Sequence, residues 1–135
     1  MIEVTRNERV AHLAINVPPV NVLDTAVMNA LTEQLRVCAT DEGLAAVMIE
    51  GQGKCFSAGA SVAEHRPPDH EAMVNGLLDA CTALADLPMP AVALVHGACL
   101  GGATELISFC DYVVADPEAS FGQPEIKLAF FPPIA

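Results

Sequence analysis

Aromatic and basic residues are both scarce in this chain of 135 residues. Phe, Tyr and Trp together make up 4% of it, with no Trp, so its core must be built from aliphatic side chains. Six Lys and Arg residues oppose 17 Asp and Glu residues, which gives a net charge of −11. Proteins that bind nucleic acids or anionic membranes usually present a basic face. We therefore expect no nucleic acid and no membrane among its partners.

Long apolar runs are also missing. No stretch reaches the ~18 apolar residues that a membrane-spanning helix needs, and the charged start "MIEVTRNERV" predicts no secretion signal. The five cysteines are odd in number, and their spacings match neither a CxxC motif nor a zinc knuckle. We therefore expect free, inert thiols in a reducing cytoplasm, and no metal site.

Aliphatic residues dominate what remains. Hydrophobic residues make up 53% of the chain and the mean hydropathy is +0.42, which predicts a folded domain. Strand and helix patterns alternate, so we predict one α/β domain over 1–135 with parallel or mixed strands and right-handed crossovers. The apolar strand at 44–51 is expected to be buried on both faces. Strands are predicted at 2–6, 10–16, 44–51, 91–95, 111–116 and 119–122, and helices at 25–42, 69–86 and 102–110.

The chain closes on the apolar segment "AFFPPIA". Exposed apolar residues at the end of a domain favour association with another surface. We therefore expect residues 1–135 to be a fragment, with Phe130, Phe131 and Ile134 exposed.

Two glycine-containing stretches are candidates for binding a polarised carbonyl. "GKCFSAGAS" (53–61) follows a predicted buried strand, and its small residues let a ligand approach the backbone. In "HGACLGGATEL" (96–106), Gly101 and Gly102 open a helix whose first N–H groups lack partners. One N–H group from each stretch would form an oxyanion hole.

Glu105 and Glu125 are candidates for acid–base chemistry beside that carbonyl. Glu105 lies one helical turn after Gly102, and Glu125 follows in "FGQPEIKL" (121–128) with a strand between them. Positioned carboxylates suit general acid–base catalysis. Two ordinary roles stay open on spacing alone: Glu105 as a residue that complements the helix dipole, and Glu125 as a solvated turn residue. His65 and His70 are interpreted as surface residues.

These motifs resemble those of the enoyl-CoA hydratase/isomerase (crotonase) family over nearly the whole chain. "KCFSAGAS" is similar to the family's "KAFSAGAD", and "HGACLGGATEL" to its "NGxALGGGxEL". "PPVNVLD" and "CDYVVADPEASFGQPEIKLAFFP" match two further family segments. The resemblance implies the crotonase (ClpP-like) fold, a spiral of ββα units, of which this chain would be the N-terminal part without the C-terminal helices.

The resemblance also implies roles for individual residues. Ala60 and Gly102 match the two oxyanion-hole donors. Glu105 matches the glutamate that handles water, and Glu125 the one that transfers a proton at the α-carbon. The resemblance further implies an acyl-CoA thioester as the substrate, no separate cofactor because coenzyme A is part of that substrate, and a homotrimer or hexamer at full length. The residues implied in binding CoA or substrate are Lys54, Ala58, Ala60, Ser61, Val62 and Gly102.

The sequence departs from the family pattern at two places. Ser61 stands where the family has Asp, and Pro132–Pro133 replaces the usual Pro-Gly. Together with "SAGASVAEH" and "PPDH", the segment "FFPPIA" resembles the cyclohexa-1,5-dienecarbonyl-CoA hydratases of aromatic degradation. The predicted activity is hydration of an α,β-unsaturated acyl-CoA. The alternatives are a double-bond isomerase or other crotonase-type reaction, and a non-catalytic truncated acyl-CoA-binding domain.

Overall fold

A parallel sheet with one antiparallel edge forms the centre of the protein. The computed structural model describes residues 1–128 and 131–134. Within them, two 3₁₀ helices, Ala63–His65 and Pro124–Leu128, accompany the strands and α-helices. The strands are β1 (Ile2–Asn7), β2 (Val10–Ile15), β3 (Ala46–Gly51), β4 (Ala91–Val95), β5 (Ala98–Leu100), β6 (Tyr112–Ala115) and β7 (Ser120–Gly122), and the helices are α1 (Thr25–Ala39), α2 (His70–Ala85) and α3 (Gly102–Ile107).

The pairing of the strands confirms the predicted α/β class. The main sheet has the order β1-β2-β3-β4-β6, and β5 pairs with β7 in a separate two-stranded sheet. β1 and β2 form an antiparallel hairpin, whereas β2–β3, β3–β4 and β4–β6 are parallel pairs. Parallel neighbours need long connections, and α1, α2 and α3 lie in those connections.

Helix α1 begins as predicted but ends earlier. Asp24 is its N-cap, and the Asp24 Oδ1 accepts a hydrogen bond from the Val27 N–H at 2.8 Å. The predicted end at Gly43 is wrong, because the Thr40 N–H already donates to the Val37 carbonyl at 3.2 Å. Gly43 lies instead in the following turn, where its N–H donates to Asp41 Oδ1 at 2.8 Å.

The described residues cover only one face of β3. Val47 and Ile49 are buried and belong to one core cluster with Leu31 of α1 and Leu77 of α2. The alternate residues of the strand are only half-buried. The expectation of burial on both faces is therefore wrong, because successive side chains of a strand point to opposite faces and the helices pack on one of them.

The exposure of the last segment also differs from the expectation. Phe131 is 92% exposed, as predicted. Ile134 is not exposed but half-buried, and it packs against the core cluster. Phe130 lies outside the described residues. The described part of the last segment therefore contributes to the fold as well as presenting an apolar surface.

Candidate active site

The segment after β3 presents the Ala60 N–H toward α3. Ala60 forms an isolated parallel bridge with Leu23, in which the Leu23 N–H donates to the Gly59 carbonyl at 2.9 Å. The Ser61 N–H donates to the Leu23 carbonyl at 3.0 Å. Because both neighbours of Ala60 bond to Leu23, the N–H of Ala60 itself points to the opposite side of the segment.

Gly102 brings the second predicted donor to the same place. It is the first residue of α3, where an N–H group has no partner within the helix. A Cβ built on Gly102 would lie 3.3 Å from the Ala60 Cβ and 3.6 Å from the Ala60 nitrogen. Within residues 1–128 and 131–134, neither of these two N–H groups has a hydrogen-bond acceptor. The structure thus brings Ala60 and Gly102 together, as predicted.

Glu105 is a buried carboxylate on the first turn of α3. Its side chain is only 2% exposed, so it is not an ordinary solvated helix residue. Its place in the first turn of α3 is also compatible with the alternative role of complementing the helix dipole. The Glu105 Oε1 accepts a hydrogen bond from the Ile134 N–H at 2.7 Å. The last described segment therefore holds one oxygen of this carboxylate in place.

Glu125 packs directly against the turn that precedes α3. It lies in the 3₁₀ helix Pro124–Leu128, and a Cβ built on Gly101 would collide with its Oε1. Among the described residues, no hydrogen-bond partner reaches its other carboxylate oxygen, Oε2, which is buried. Buried polar atoms in proteins are normally bonded, so Oε2 needs a donor from water or a ligand. The alternative of a solvated turn residue is therefore wrong.

A cavity of about 220 Å³ joins the two carboxylates to the two backbone donors. One wall carries these four predicted groups. Helix α2 also lines the cavity, through His70, Met73, Val74 and Leu77, which at i, i+3, i+4 and i+7 share one helical face. The residues that line the cavity are Ala60, His65, His70, Met73, Val74, Leu77, Gly102, Glu105, Glu125, Phe131 and Pro133.

A smaller cavity of about 40 Å³ adjoins the first through Ala60, His65 and Glu125. Ala58 and Val62 line it, so these two predicted contacts lie beside the site. The other two predicted binding residues are placed differently. Lys54 is exposed and Ser61 is buried, and neither lines these two cavities as the described residues define them.

Sequence analysis missed the two histidines of the cavity wall. His65 is half-buried, and its Nδ1 lies 2.7 Å from the Ser61 carbonyl oxygen, so Nδ1 carries the proton of that hydrogen bond. His70 is exposed but lies on the cavity face of α2. The signal for His70 was present in the sequence, since it precedes Met73, Val74 and Leu77 at helical spacing.

The five cysteines are free thiols, four of them buried. Burial, together with the nearby Glu105 carboxylate, raises the pKa of the Cys81 thiol to about 12. Burial also raises the pKa of Cys99 to about 11 and that of Cys110 to about 12. A thiol is nucleophilic and metal-binding only as thiolate, so these groups are inert near neutral pH.

Residues 1–128 and 131–134 form neither a metal-ligand cluster nor a membrane-spanning helix. In that part of the chain, no three His, Cys, Asp or Glu side chains converge as ligands of a metal ion would. None of the helices that the structure describes has the length and apolar character of a membrane span.

Comparison with known proteins identifies the family. The sequence model of the enoyl-CoA hydratase/isomerase family matches residues 5–135. The chain belongs to this family. It is 36% identical over 118 residues to the cyclohexa-1,5-dienecarbonyl-CoA hydratase of Thauera aromatica, covering 87% of this chain and 46% of that protein. It is 37% identical over 131 residues to the 2,3-dehydroadipyl-CoA hydratase of Escherichia coli, covering 96% of this chain and 51% of that protein.

Solved structures share the fold of this chain. DspI of Pseudomonas aeruginosa superposes with a TM-score of 0.92 at 28% identity, covering 98% of this chain and 52% of that one. An enoyl-CoA hydratase of Mycobacterium smegmatis gives a TM-score of 0.90 at 32% identity, covering 96% and 53%. These matches confirm the predicted crotonase fold. The chain spans about half the length of the relatives it matches.

Proposed function

We propose that this protein contributes the catalytic groups for adding water to the α,β double bond of an acyl-CoA thioester. The observation that carries the proposal is the single cavity in which Ala60, Gly102, Glu105 and Glu125 meet. The family relationship supports the same reaction, because several relatives are named enoyl-CoA hydratases. The hydratase needs no separate cofactor in this proposal, since coenzyme A is part of the substrate.

The two backbone donors act on the thioester carbonyl. The N–H groups of Ala60 and Gly102 bind the carbonyl oxygen, which gains negative charge when a nucleophile adds to the β-carbon. Donors that are already oriented stabilise this charge without reorganisation during the reaction. Electron density drawn toward the carbonyl oxygen makes the β-carbon electrophilic, and this polarisation is what a weak nucleophile such as water requires.

The two glutamates move the protons. Glu105 removes a proton from water as the oxygen of that water bonds to the β-carbon, and the π electrons shift onto the carbonyl oxygen. Glu125 then delivers a proton to the α-carbon, and the carbonyl re-forms. Glu125 therefore begins the cycle protonated, and the cycle closes when the proton on Glu105 passes to Glu125, directly or through solvent. General acid–base catalysis of this kind contributes typically ~10²–10⁴-fold.

The size of the cavity supports a short acyl group. An apolar cavity of ~150 Å³ holds one benzene molecule, and the cavity here is about 220 Å³. A six-membered ring therefore fits, in line with the similarity to cyclohexa-1,5-dienecarbonyl-CoA hydratase. We propose a cyclic dienoyl or short enoyl thioester as the substrate. Ala58 and Val62 line the adjoining cavity and are proposed to lie along the path of the CoA moiety, with the exposed Lys54 meeting CoA outside the two cavities. A cytoplasmic trimer or hexamer remains part of this proposal.

The test is a hydration assay on the protein encoded by the complete open reading frame. Crotonyl-CoA, cyclohexa-1,5-dienecarbonyl-CoA and 2,3-dehydroadipyl-CoA are supplied separately, and loss of the conjugated thioester absorbance is followed. Mass spectrometry then separates a product heavier by one water from a double-bond isomer of unchanged mass. A hydrated product supports the proposal, whereas an isomer alone supports the double-bond isomerase. Binding of the thioesters without either product would show a non-catalytic acyl-CoA-binding domain.

A further inference from the structure

A buried amide, Asn21, organises the loop that leaves β3. Asn21 is 2% exposed and has a left-handed backbone with φ of 52°. Its Oδ1 accepts a hydrogen bond from the Val17 N–H at 2.8 Å. Its Nδ2 donates to the carbonyl oxygens of Gln52, Cys55 and Phe56 at 2.8, 3.0 and 3.2 Å. One side chain therefore ties the segment before α1 to the loop that continues to Ala60.

Ser57 extends this network to the residue just before Ala60. The Ser57 side chain is fully buried, and its Oγ donates to the Asn21 carbonyl oxygen at 2.6 Å. The same Oγ accepts a hydrogen bond from the Gly59 N–H at 3.0 Å. The hydroxyl thus uses its one proton on Asn21 and a lone pair on Gly59.

The backbone conformation of Gly59 determines the direction of the Ala60 N–H. The Gly59 carbonyl and the Ala60 N–H belong to one planar peptide unit, so they turn together. Gly59 has φ of 97°, a region open to glycine, and its own rotation would turn that peptide. On the C-terminal side of Gly59, the Leu23 N–H donates to the Gly59 carbonyl and so holds the peptide unit that contains the Ala60 N–H. On the N-terminal side, the Gly59 N–H donates to the Ser57 Oγ.

We propose that Ser57 is a positioning residue that sets the direction of the Ala60 N–H toward the thioester carbonyl. The inference rests on the proposed function, in which Ala60 is an oxyanion donor. Without the Ser57 hydroxyl, the Gly59 N–H loses its buried acceptor, and the backbone on the N-terminal side of Gly59 is no longer held by this hydrogen bond. Misplacement by ~1 Å of a group in an active site can cost roughly 10²-fold in rate.

The test compares Ser57→Ala with Thr32→Val in the complete open reading frame. Thr32 is also buried, and its Oγ1 donates to the Met28 carbonyl at 2.9 Å within α1, so both changes delete one buried hydroxyl. We expect both to lower the thermal midpoint. Ser57→Ala should also lower kcat by roughly tenfold or more at little change in KM, which is less than the 10²–10³-fold loss of a whole donor.

The stretching frequency of the bound thioester carbonyl, from isotope-edited infrared spectra, gives a readout that stability alone does not move. The downshift on binding should shrink in Ser57→Ala and stay at the wild-type value in Thr32→Val. A folded Ser57→Ala protein with wild-type kcat and carbonyl frequency would overturn the inference. If the alanine variant does not fold, Ser57→Cys is measured instead. A carbonyl downshift smaller than that of the wild type supports the inference, and a downshift equal to that of the wild type overturns it.

The same experiment separates this inference from the proposed function. If the wild-type protein polarises the bound carbonyl but produces no hydrated thioester, the proposed hydration is wrong and the role of Ser57 is still decided by the carbonyl frequency. If hydration is observed and Ser57→Ala leaves the carbonyl frequency unchanged, the inference about Ser57 is wrong and the proposed hydration stands.

Discussion

At the scale of single residues, the two glutamates differ in how the protein holds them. Glu105 is 2% exposed and receives the Ile134 N–H, whereas Glu125 presents a buried Oε2 that no described residue bonds. A held carboxylate suits the residue that orients a water molecule. A carboxylate whose oxygen waits for a donor suits the residue that exchanges a proton with the substrate.

Glu105→Gln and Glu125→Gln should each lower kcat by roughly 10²-fold or more in the complete protein, the scale of lost acid–base catalysis. The amide keeps the size of the side chain but cannot take up or deliver the proton. Steady-state hydration kinetics measure the effect. Glu118→Gln, an exposed turn residue, is the matched control and should retain wild-type rates. A near-wild-type rate in either of the first two variants contradicts the role given to that glutamate.

Gly101 makes room for Glu125, and a pair of alanine variants isolates that role. Gly101 and Gly53 both have positive φ, 53° and 83°, so alanine strains the backbone at each. A Cβ at Gly101 would collide with Glu125 Oε1, whereas a Cβ at Gly53 meets no atom within 4 Å. Gly101→Ala should therefore reduce hydration strongly, and Gly53→Ala should cost only stability, about 1 kcal/mol. Equal activity in the two folded variants would contradict the packing of Glu125 against this turn.

The buried thiols make the stability fall in alkaline solution. Burial raises the pKa of Cys81 from 9.0 to about 12 and that of Cys99 to about 11. The unfolded chain loses these protons near pH 9 while the folded protein keeps them, so unfolding is favoured as the pH rises above 9. Urea midpoints at pH 7 and 8 should agree, and the midpoint at pH 10 should be lower. A midpoint that stays constant to pH 10 would contradict the burial of these thiols.

At the scale of elements, local patterns predicted most of the strands and helices. The elements that lie where predicted, within a few residues at their ends, are β1, β2, β3, β4, β6, β7, α1 and α2. Helix α3 begins at Gly102 as predicted but ends at Ile107, three residues before the predicted end at residue 110. The sequence did not predict β5 (Ala98–Leu100), which has only three residues between Gly97 and Gly101. Its partner β7 lies about twenty residues later, so the pairing that defines it is not a local property.

Some residues of the candidate site could be predicted from local sequence, and others could not. Glycine-rich turns and the spacing of Glu105 from Gly102 depend on neighbouring residues, and these candidates could be chosen from the sequence. His65 lines the cavity because of how the loop before α2 folds. That loop has no periodic sequence pattern from which the position of His65 could be predicted. The Asn21–Ser57 hydrogen bond likewise joins residues 36 positions apart. Contacts of that kind depend on tertiary structure.

Helix α2 lines the cavity in which we propose that the acyl group binds. Leu77 lies near the proposed oxyanion donors, since its Cδ2 is 3.4 Å from a Cβ built on Gly102. His70 lies seven residues earlier on the same face, about 10 Å along the helix axis. The acyl group should therefore extend along this face from Leu77 past Val74 toward His70.

Val74→Phe should narrow the cavity and favour small substrates. We expect kcat/KM for a six-carbon acyl group to fall relative to crotonyl-CoA by ~10-fold or more, since misfit of a few atoms in an apolar pocket is worth ~1–3 kcal/mol. Asn75→Phe adds the same ring to an exposed position of α2 that does not line the cavity, and it is the control. An unchanged ratio of kcat/KM values in Val74→Phe would show that the acyl group does not follow this helix face.

At the scale of the whole molecule, the two edges of the main sheet differ in chemistry. β1 carries Glu3 and Arg6 along its exposed surface, and charges on an edge strand discourage pairing with another chain. β6 has the sequence YVVA, in which Tyr112, Val113 and Val114 are 67%, 43% and 58% exposed. An uncharged apolar edge strand of this kind is a surface on which a further strand or another copy can add.

Residues 1–135 expressed alone should therefore self-associate through β6. Val113→Lys places a charge on this edge and should shift the protein toward the monomer in sedimentation velocity at micromolar concentration. Val4→Lys is the matched control, because Val4 is a similarly exposed valine, at 49%, on the opposite edge strand, where charges already stand. It should leave the association unchanged. Equal effects of the two lysines would mean that general charge, rather than the β6 edge, governs association. A monomeric wild-type chain would show that the exposed strand does not pair at all.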